Sequence, residues 1–246
     1  MRKIAVAFSK GGSGKSTTAV NLAHGLALQG RRVLLVEVDV QAQLSMALGV
    51  TPTAGLAELI LGETSHRQAV TPARQHLDLL AGGPRLAAVQ REIARREFAG
   101  ERALSEALAT VDGYDYAILD TAPGWGALTI NALFWASELL APVNLEVLAV
   151  RALGDFAQRV EAVRRYNGML AWRYVVPTFY DGRVAKSAEV LAILQSHYAE
   201  RVTEAIRYNV RLSEAPGFGQ TVHEYAPTSR GAADYEALTR RVIADE

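Results

Sequence analysis

The sequence predicts an α/β fold, one domain with a mostly parallel, twisted sheet flanked by helices on both faces. Three observations carry this. Short apolar runs alternate with helical-period segments along the whole 246-residue chain, the pattern of repeated βαβ units. Two of those runs, Arg32–Val38 and Tyr116–Leu119, carry four consecutive apolar residues without alternation, as strands buried between two helix layers do. The first run, Ile4–Phe8, passes through a glycine-rich turn straight into a helical pattern.

Composition narrows the classes. Half of the residues are hydrophobic, which fits a packed core and not a disordered chain. No apolar run reaches 18 residues, and no signal-peptide pattern precedes the first strand, so a cytoplasmic location without membrane insertion is expected. The absence of cysteine excludes disulfides, thiolate zinc sites and cysteine-held iron–sulfur clusters. Net charge is zero, so bulk charge announces no nucleic-acid partner. Residues 151–211 hold ten basic and six acidic side chains, a local excess of four that solvated helix faces would account for.

The elements follow in order. Ser16–Gln29 reads as a helix from Ala19, Leu22, Ala23, Leu26 and Ala27, with Gly30 as its stop. Arg32–Val38 is a strand ending at Asp39. Gln41–Leu48 fits a short helix, and Leu56–Leu61 is a short apolar element. Ser65–His76 is polar and gives no assignment; His66 and His76 within it are too isolated for metal ligands. Leu77–Ala81 reads as a strand stopped by Gly82-Gly83-Pro84. Arg85–Phe98 and Glu101–Ala109 read as helices around Gly100. Tyr116–Leu119 is a strand ending at Asp120, then comes the helix Leu128–Ala136 and the strand Glu138–Val143. Helix Arg151–Tyr166, strand Arg173–Thr178 and helix Lys186–Tyr198 continue the alternation. Val202–Ile206 reads as a last short strand, Asn209–Gly219 as irregular, and Ser229–Ala244 as a closing helix capped by Ser229.

The chemistry concentrates in Lys10-Gly11-Gly12-Ser13-Gly14-Lys15-Ser16-Thr17. Glycines let the backbone turn its N–H groups inward to form an anion nest, and the helix that follows adds its positive end. Lys15 brings a full charge for phosphates and Ser16 a hard oxygen for Mg²⁺. Asp39 and Asp120 end buried strands, where acidic residues of an open α/β sheet face the ligand crevice. An apolar strand with a terminal aspartate is also the layout of a Walker B carboxylate. Lys10 is surplus to this account: Lys15 already serves the nucleotide, and Ser9 stands where the general loop pattern has its first glycine.

With these residues in place, the chain resembles the ParA/MinD superfamily of deviant Walker A ATPases, a class of P-loop NTPases. It is most similar to the short Soj/ParA partition ATPases, and nearly end to end. Lys10–Thr17 matches the deviant loop, Val36–Gln41 the stretch usually written V-D-x-D-P-Q, Tyr114–Pro123 the Walker B strand and its switch, and Asn209–Pro216 a run found near the adenine. The resemblance implies ATP and Mg²⁺ as cofactors. It implies that Lys10 reaches the nucleotide of a second subunit, and that Asp39 orients the attacking water. It implies that Ser16 and Asp120 hold Mg²⁺, Gly11 and Gly12 give N–H groups, and Thr17 a hydroxyl near the α-phosphate. It further implies a homodimer formed on ATP binding, a ParB-like activator, and nonspecific binding to nucleoid DNA. Arg183, Lys186, Arg207 and Arg211 of the basic segment are the candidate DNA contacts. Glu37, Val40, Ala42 and the pair Arg207-Tyr208 depart from the family pattern.

Two other readings stand beside this one. A membrane-bound positioning switch like MinD needs a basic amphipathic tail, and Arg240–Glu246 carries little apolar surface and an acidic tip. An ATP-dependent biosynthetic ligase, of the dethiobiotin or cobyrinic acid synthase types, needs a polar substrate pocket, of which the sequence gives no clear set.

Overall fold

The computed structural model describes residues 1–246. The strands are β1 (Arg2–Val6), β2 (Val33–Val38), β3 (Val70–Arg74), β4 (Leu77–Leu80), β5 (Tyr116–Thr121), β6 (Glu138–Asn144) and β7 (Ala171–Thr178). They form one sheet in the order β3-β4-β2-β5-β1-β6-β7. Every pairing is parallel except that of β3 with β4. The helices are α1 (Lys15–Leu28), α2 (Gln43–Leu48), α3 (Leu56–Ile60), α4 (His66–Ala69), α5 (Leu86–Arg95) and α6 (Ala103–Ala107). They continue with α7 (Ala127–Trp135), α8 (Val147–Arg164), α9 (Ala185–Tyr198), α10 (Val210–Glu214), α11 (Val222–Tyr225) and α12 (Arg230–Ala244).

Alternation along the buried strands divides the core between the two faces of the sheet. Ile4, Val6, Val33, Leu35, Tyr116, Ile118, Leu140 and Tyr174 pack under α1 and α12. Leu34, Val36, Val38, Ala117 and Leu119 face α3, α5, α6 and α7. Ala5, Ala7, Leu139, Ala141 and Val175 face α8 and α9. The continuous apolar runs are thus apolar because both sides are covered.

The structure corrects several sequence expectations. Ser65–His76, left unassigned, holds α4 and the antiparallel edge strand β3. The two helices around Gly100 are shorter than expected, ending at Arg95 and spanning Ala103–Ala107. Asn209–Gly219 is not irregular: it folds as α10 and a 3₁₀ turn, Ala215–Phe218. Val202–Ile206 is not a strand. It touches β7 at an isolated bridge, with Thr203 N donating to Val175 O and Ile206 N to Pro177 O. Three residues of this segment face two of β7, and Pro177 has no N–H to give back, so no ladder forms. Ser229 does cap α12, its hydroxyl accepting from Ala232 N at 3.2 Å.

Candidate nucleotide site

The site lies at the C-terminal ends of the central strands. Parallel register sets Asp120 of β5 between Val6 of β1 and Glu37 of β2. β1 leads into the glycine loop, and α1 begins at Lys15. The connections leaving β1 and β5 therefore flank one crevice, where open α/β sheets bind their ligands. Gly12 (φ 70°) and Gly14 (φ 85°) take the left-handed conformation that turns the loop over the helix start. Gly14 caps α1 without a side chain, which leaves the helix N-terminus open to an anion. Thr178 Oγ1 donates to Ser13 O at 3.0 Å and ties the loop to β7.

Lys15 is buried, and its ammonium donates to Lys10 O at 3.2 Å, arching over the loop. Burial lowers its pKa, while the charges of Asp120 and Asp39 oppose the shift. Asp120 is buried, and its carboxyl is pushed up to about 7, first by desolvation, against the hydroxyl of Ser16. Its Oδ1 is buried without a hydrogen-bond partner. A strand-end carboxylate with an orphan oxygen, beside a serine hydroxyl and a lysine, is a donor set that fits Mg²⁺. Asp39 is partly exposed at the mouth, with Oδ1 accepting from Gln41 N at 3.1 Å.

Glu37 lies in the same row and was missed as a site element, because it reads as a mere change from the family's aspartate. It is fully buried, accepting from Leu44 N at 2.8 Å and Gly82 N at 3.0 Å. These bonds tie the end of β2 to the start of α2, across the Asp39–Ala42 turn, and to the chain leaving β4. Burial raises the Glu37 pKa, against the bonds from Leu44, Gly82 and Gln43. Its four-atom reach to two backbone donors is a tertiary fact with no local signal.

Lys10 points away from its own loop: its ammonium forms an ion pair with Glu146 at 2.5 Å. Glu146 directly precedes α8, without a side-chain bond to the helix N-terminus. On the other flank of the loop, a cavity of about 230 Å³ is lined by Gly14, Thr17, Phe179, Tyr208, Asn209 and Tyr235, among others. Asn209 caps α10 with its side chain. The structure therefore brings Gly11–Thr17, Asp39 and Asp120 to one crevice with Asn209 at its side.

The candidate DNA residues separate by partner. Arg207 is held by Asp234, through Nε at 3.0 Å and Nη2 at 2.5 Å, and Asp234 is nearly buried. Arg183 pairs with Asp181 at 2.7 Å and Arg211 with Glu214 at 2.7 Å, each within one turn of chain. Lys186 is exposed and has no ion-pair partner.

Comparison with known proteins decides the family. An AAA domain family model matches residues 1–171. The chain is 39% identical over 246 residues to the chromosome-partitioning ATPase Soj of Thermus thermophilus, covering 99% of this chain and 96% of that one. This chain belongs to the Soj/ParA family of ATPases. The chromosome partitioning protein ParA of Caulobacter vibrioides is 35% identical over 255 residues, covering all of this chain and 95% of the relative. Among solved structures, cobyrinic acid a,c-diamide synthase from Mycobacterium smegmatis, with bound ADP and magnesium, superposes with TM-score 0.84 at 31% identity, covering 99% and 94% of the two chains. The cell division ATPase MinD of Pyrococcus furiosus shares the fold at TM-score 0.83 and 23% identity, covering all of this chain and 99% of that one. This Soj/ParA protein is a partition ATPase, and ATP and Mg²⁺ are its cofactors. When bound, Mg²⁺ neutralises phosphate charge; Ser16 and Asp120 are the residues here that would hold it. No helix is long and apolar enough to cross a membrane.

Proposed function

We propose that this ATPase is an ATP-dependent dimerisation switch that binds DNA without sequence preference and positions a plasmid or chromosome, or another large intracellular cargo. The observation that carries the reading is Lys10. One nucleotide needs one loop lysine, and Lys15 already spans the loop. Lys10 instead stands at the rim on an exposed carboxylate, free to be exchanged for phosphate on a second subunit. A cation delivered across an interface stabilises charge on the transferring phosphoryl group as an arginine finger does.

In this reading the N–H groups of Gly11–Gly14 cradle the phosphates and Lys15 neutralises them. The Thr17 hydroxyl contacts the α-phosphate, and the Asn209 cavity takes the base. Asp39, at the open mouth, orients the water that attacks the γ-phosphate in line. A ParB-like activator speeds hydrolysis, and loss of the γ-phosphate removes what held Lys10 across the interface. The dimer then separates and leaves the nucleoid.

DNA contact follows from charges that phosphate can claim. Lys186 is unpaired, and the pairs of Arg183 and Arg211 lie in solvent, where such pairs contribute little and are readily exchanged. Arg207 is better read as a structural residue, because its departure would strand the nearly buried Asp234.

The deciding experiment is ATP-dependent dimerisation by analytical ultracentrifugation. We expect Asp39→Ala to hold a stable ATP dimer, and Lys10→Ala to bind ATP yet remain a monomer. A Lys10→Ala protein that dimerises and hydrolyses like its parent removes the cross-subunit role. A second reading, as an ATP-dependent ligase, draws on the likeness to the cobyrinic acid synthase. ATP turnover accelerated by DNA and a partner protein, with no carboxylic acid acceptor present, counts against it. A MinD-like membrane role is tested by co-sedimentation with anionic liposomes in ATP, where we expect no binding.

A further inference from the structure

The segment after Asp120 is held by few hydrogen bonds. Its start is fixed, since Thr121 Oγ1 donates to Val6 O at 3.0 Å. Its end is fixed at Gly126, the cap of α7. Between them, residues 122–125 make no backbone–backbone hydrogen bond. The one side-chain bond, Thr129 Oγ1 to Ala122 O, is long at 3.4 Å. Gly124 has a φ of 92° and open space where a Cβ would stand, so it acts as a free joint. The segment leaves the C-terminal end of β5 beside the loop of β1 and so runs along the crevice where the phosphates lie.

One large side chain interrupts this loose stretch. The indole of Trp125 lies 5.1 Å from the ring of Phe156 on α8, tilted by 39°. The Arg159 guanidinium, one turn along α8, lies over its face at 5.8 Å. Phe156 is buried and packs edge-on against Phe8 at 5.4 Å. Phe8 precedes Ser9 and Lys10 at the entry of the loop. The same helix begins just after Glu146, the partner of Lys10. Trp125, Phe156 and Phe8 thus connect the segment after Asp120 to the entry of the phosphate loop through one helix.

We propose that Trp125 is a positioning residue for hydrolysis: its indole, docked between Phe156 and Arg159, sets the Ala122–Gly126 segment against the phosphate crevice. The nucleotide cradle does not depend on it, because Gly11–Ser16 sit on β1 and α1 and Asp120 is fixed by sheet register. Trp125 therefore acts on the chemical step and not on nucleotide affinity. The proposal concerns the hydrolytic step; because the reading above also draws Lys10 of a second subunit into that step, sedimentation with ATP is run beside the kinetics, and the Trp125 variants are expected to associate as the parent does.

The test compares parent, Trp125→Ala, Trp125→Phe and Arg159→Ala by ATP hydrolysis across an ATP series, with Mg²⁺ present and thermal melts alongside. We expect Trp125→Ala to lower kcat by about ten- to a hundredfold, as small misplacements in an active site do, with KM for ATP held within about twofold, the pattern of an interaction made in the transition state only. Phenylalanine, which keeps the ring contact with Phe156, restores most of kcat. Arg159→Ala, which uncovers the indole and breaks no ion pair, lowers kcat by a smaller factor at unchanged KM. Should the alanine variant melt below assay temperature, Arg159→Ala and Trp125→Phe carry the comparison. Unchanged kcat in a folded Trp125→Ala or Arg159→Ala protein overturns the proposal. So does a KM that rises by the same factor as kcat falls, or a phenylalanine variant as slow as alanine.

Discussion

The ammonium of Lys10 rests on a carboxylate that is more than half exposed. Surface pairs of this kind contribute about 0–1 kcal/mol, so the contact orients Lys10 and costs little to leave. We expect Glu146→Gln to lower the ATP concentration needed for dimerisation by a few-fold at most, read from sedimentation across an ATP titration. Glu37 is the opposite case. It is buried with both oxygens on backbone donors, and truncation would leave the N–H groups of Leu44 and Gly82 unpaired. Each unsatisfied buried donor costs about 1–3 kcal/mol. We expect Glu37→Ala to lose about 2–4 kcal/mol in urea denaturation, with a larger fall in activity than stability alone explains, since the Asp39 turn goes with it.

At the scale of elements, the turn between β2 and α2 carries its own strain. Ala42 holds a φ of 52° at a position where the family pattern has glycine. A non-glycine residue there costs about 1–2 kcal/mol, and the flexibility of glycine in the unfolded chain takes back about 0.4–1 kcal/mol. We expect Ala42→Gly to stabilise by up to about 1 kcal/mol, a gain of a few degrees in melting temperature. That position was legible, because the missing glycine stands out against the motif. So were the phosphate loop and the central strands, whose signals are local: glycine spacing, β-branched runs and terminal aspartates. β3 was hidden by its polarity and by Pro72, which a central strand would not carry but an edge strand tolerates. Val202–Ile206 failed in the other direction. Its apolar run looks like a strand, yet whether a ladder forms depends on Pro177, some 25 residues earlier in sequence. The Lys10–Glu146 and Glu37 contacts were invisible for the same reason, since partners distant in sequence leave no periodicity.

Across the whole molecule, α1 is locked to the C-terminal part of the chain by a buried polar cluster. His24 Nδ1 lies 2.6 Å from Thr221 Oγ1, and His223 Nε2 lies 3.1 Å from Asn21 O. The two rings meet edge to face at 5.8 Å, with the Arg74–Glu224 pair beside them. Desolvation lowers both histidines, His24 to about 4, with Glu224 opposing in each case. Both are neutral in folded and unfolded chains at pH 7. As pH falls below 6.5 the unfolded chain takes up protons first, so stability drops until the folded His24 also protonates near pH 4. Asp120 and Glu37, whose carboxyls are raised by burial, act in the opposite sense over the same range, so the test is a difference: we expect His24→Gln to lose less melting temperature than the parent between pH 7 and 5.

The edge strands carry a consequence for how copies of this protein can gather. β3 is five residues long, has Pro72 at its centre and is bulged between Pro72 and Arg74. At the other edge, Thr203 and Ile206 occupy the carbonyls of Val175 and Pro177, and Arg173 stands exposed on the uncovered half. Proline, bulges and outward charge are the devices by which sheets refuse a foreign strand. Even at high local concentration, growth by strand addition at either sheet edge is therefore disfavoured, and the dimer proposed above would have to form through another surface.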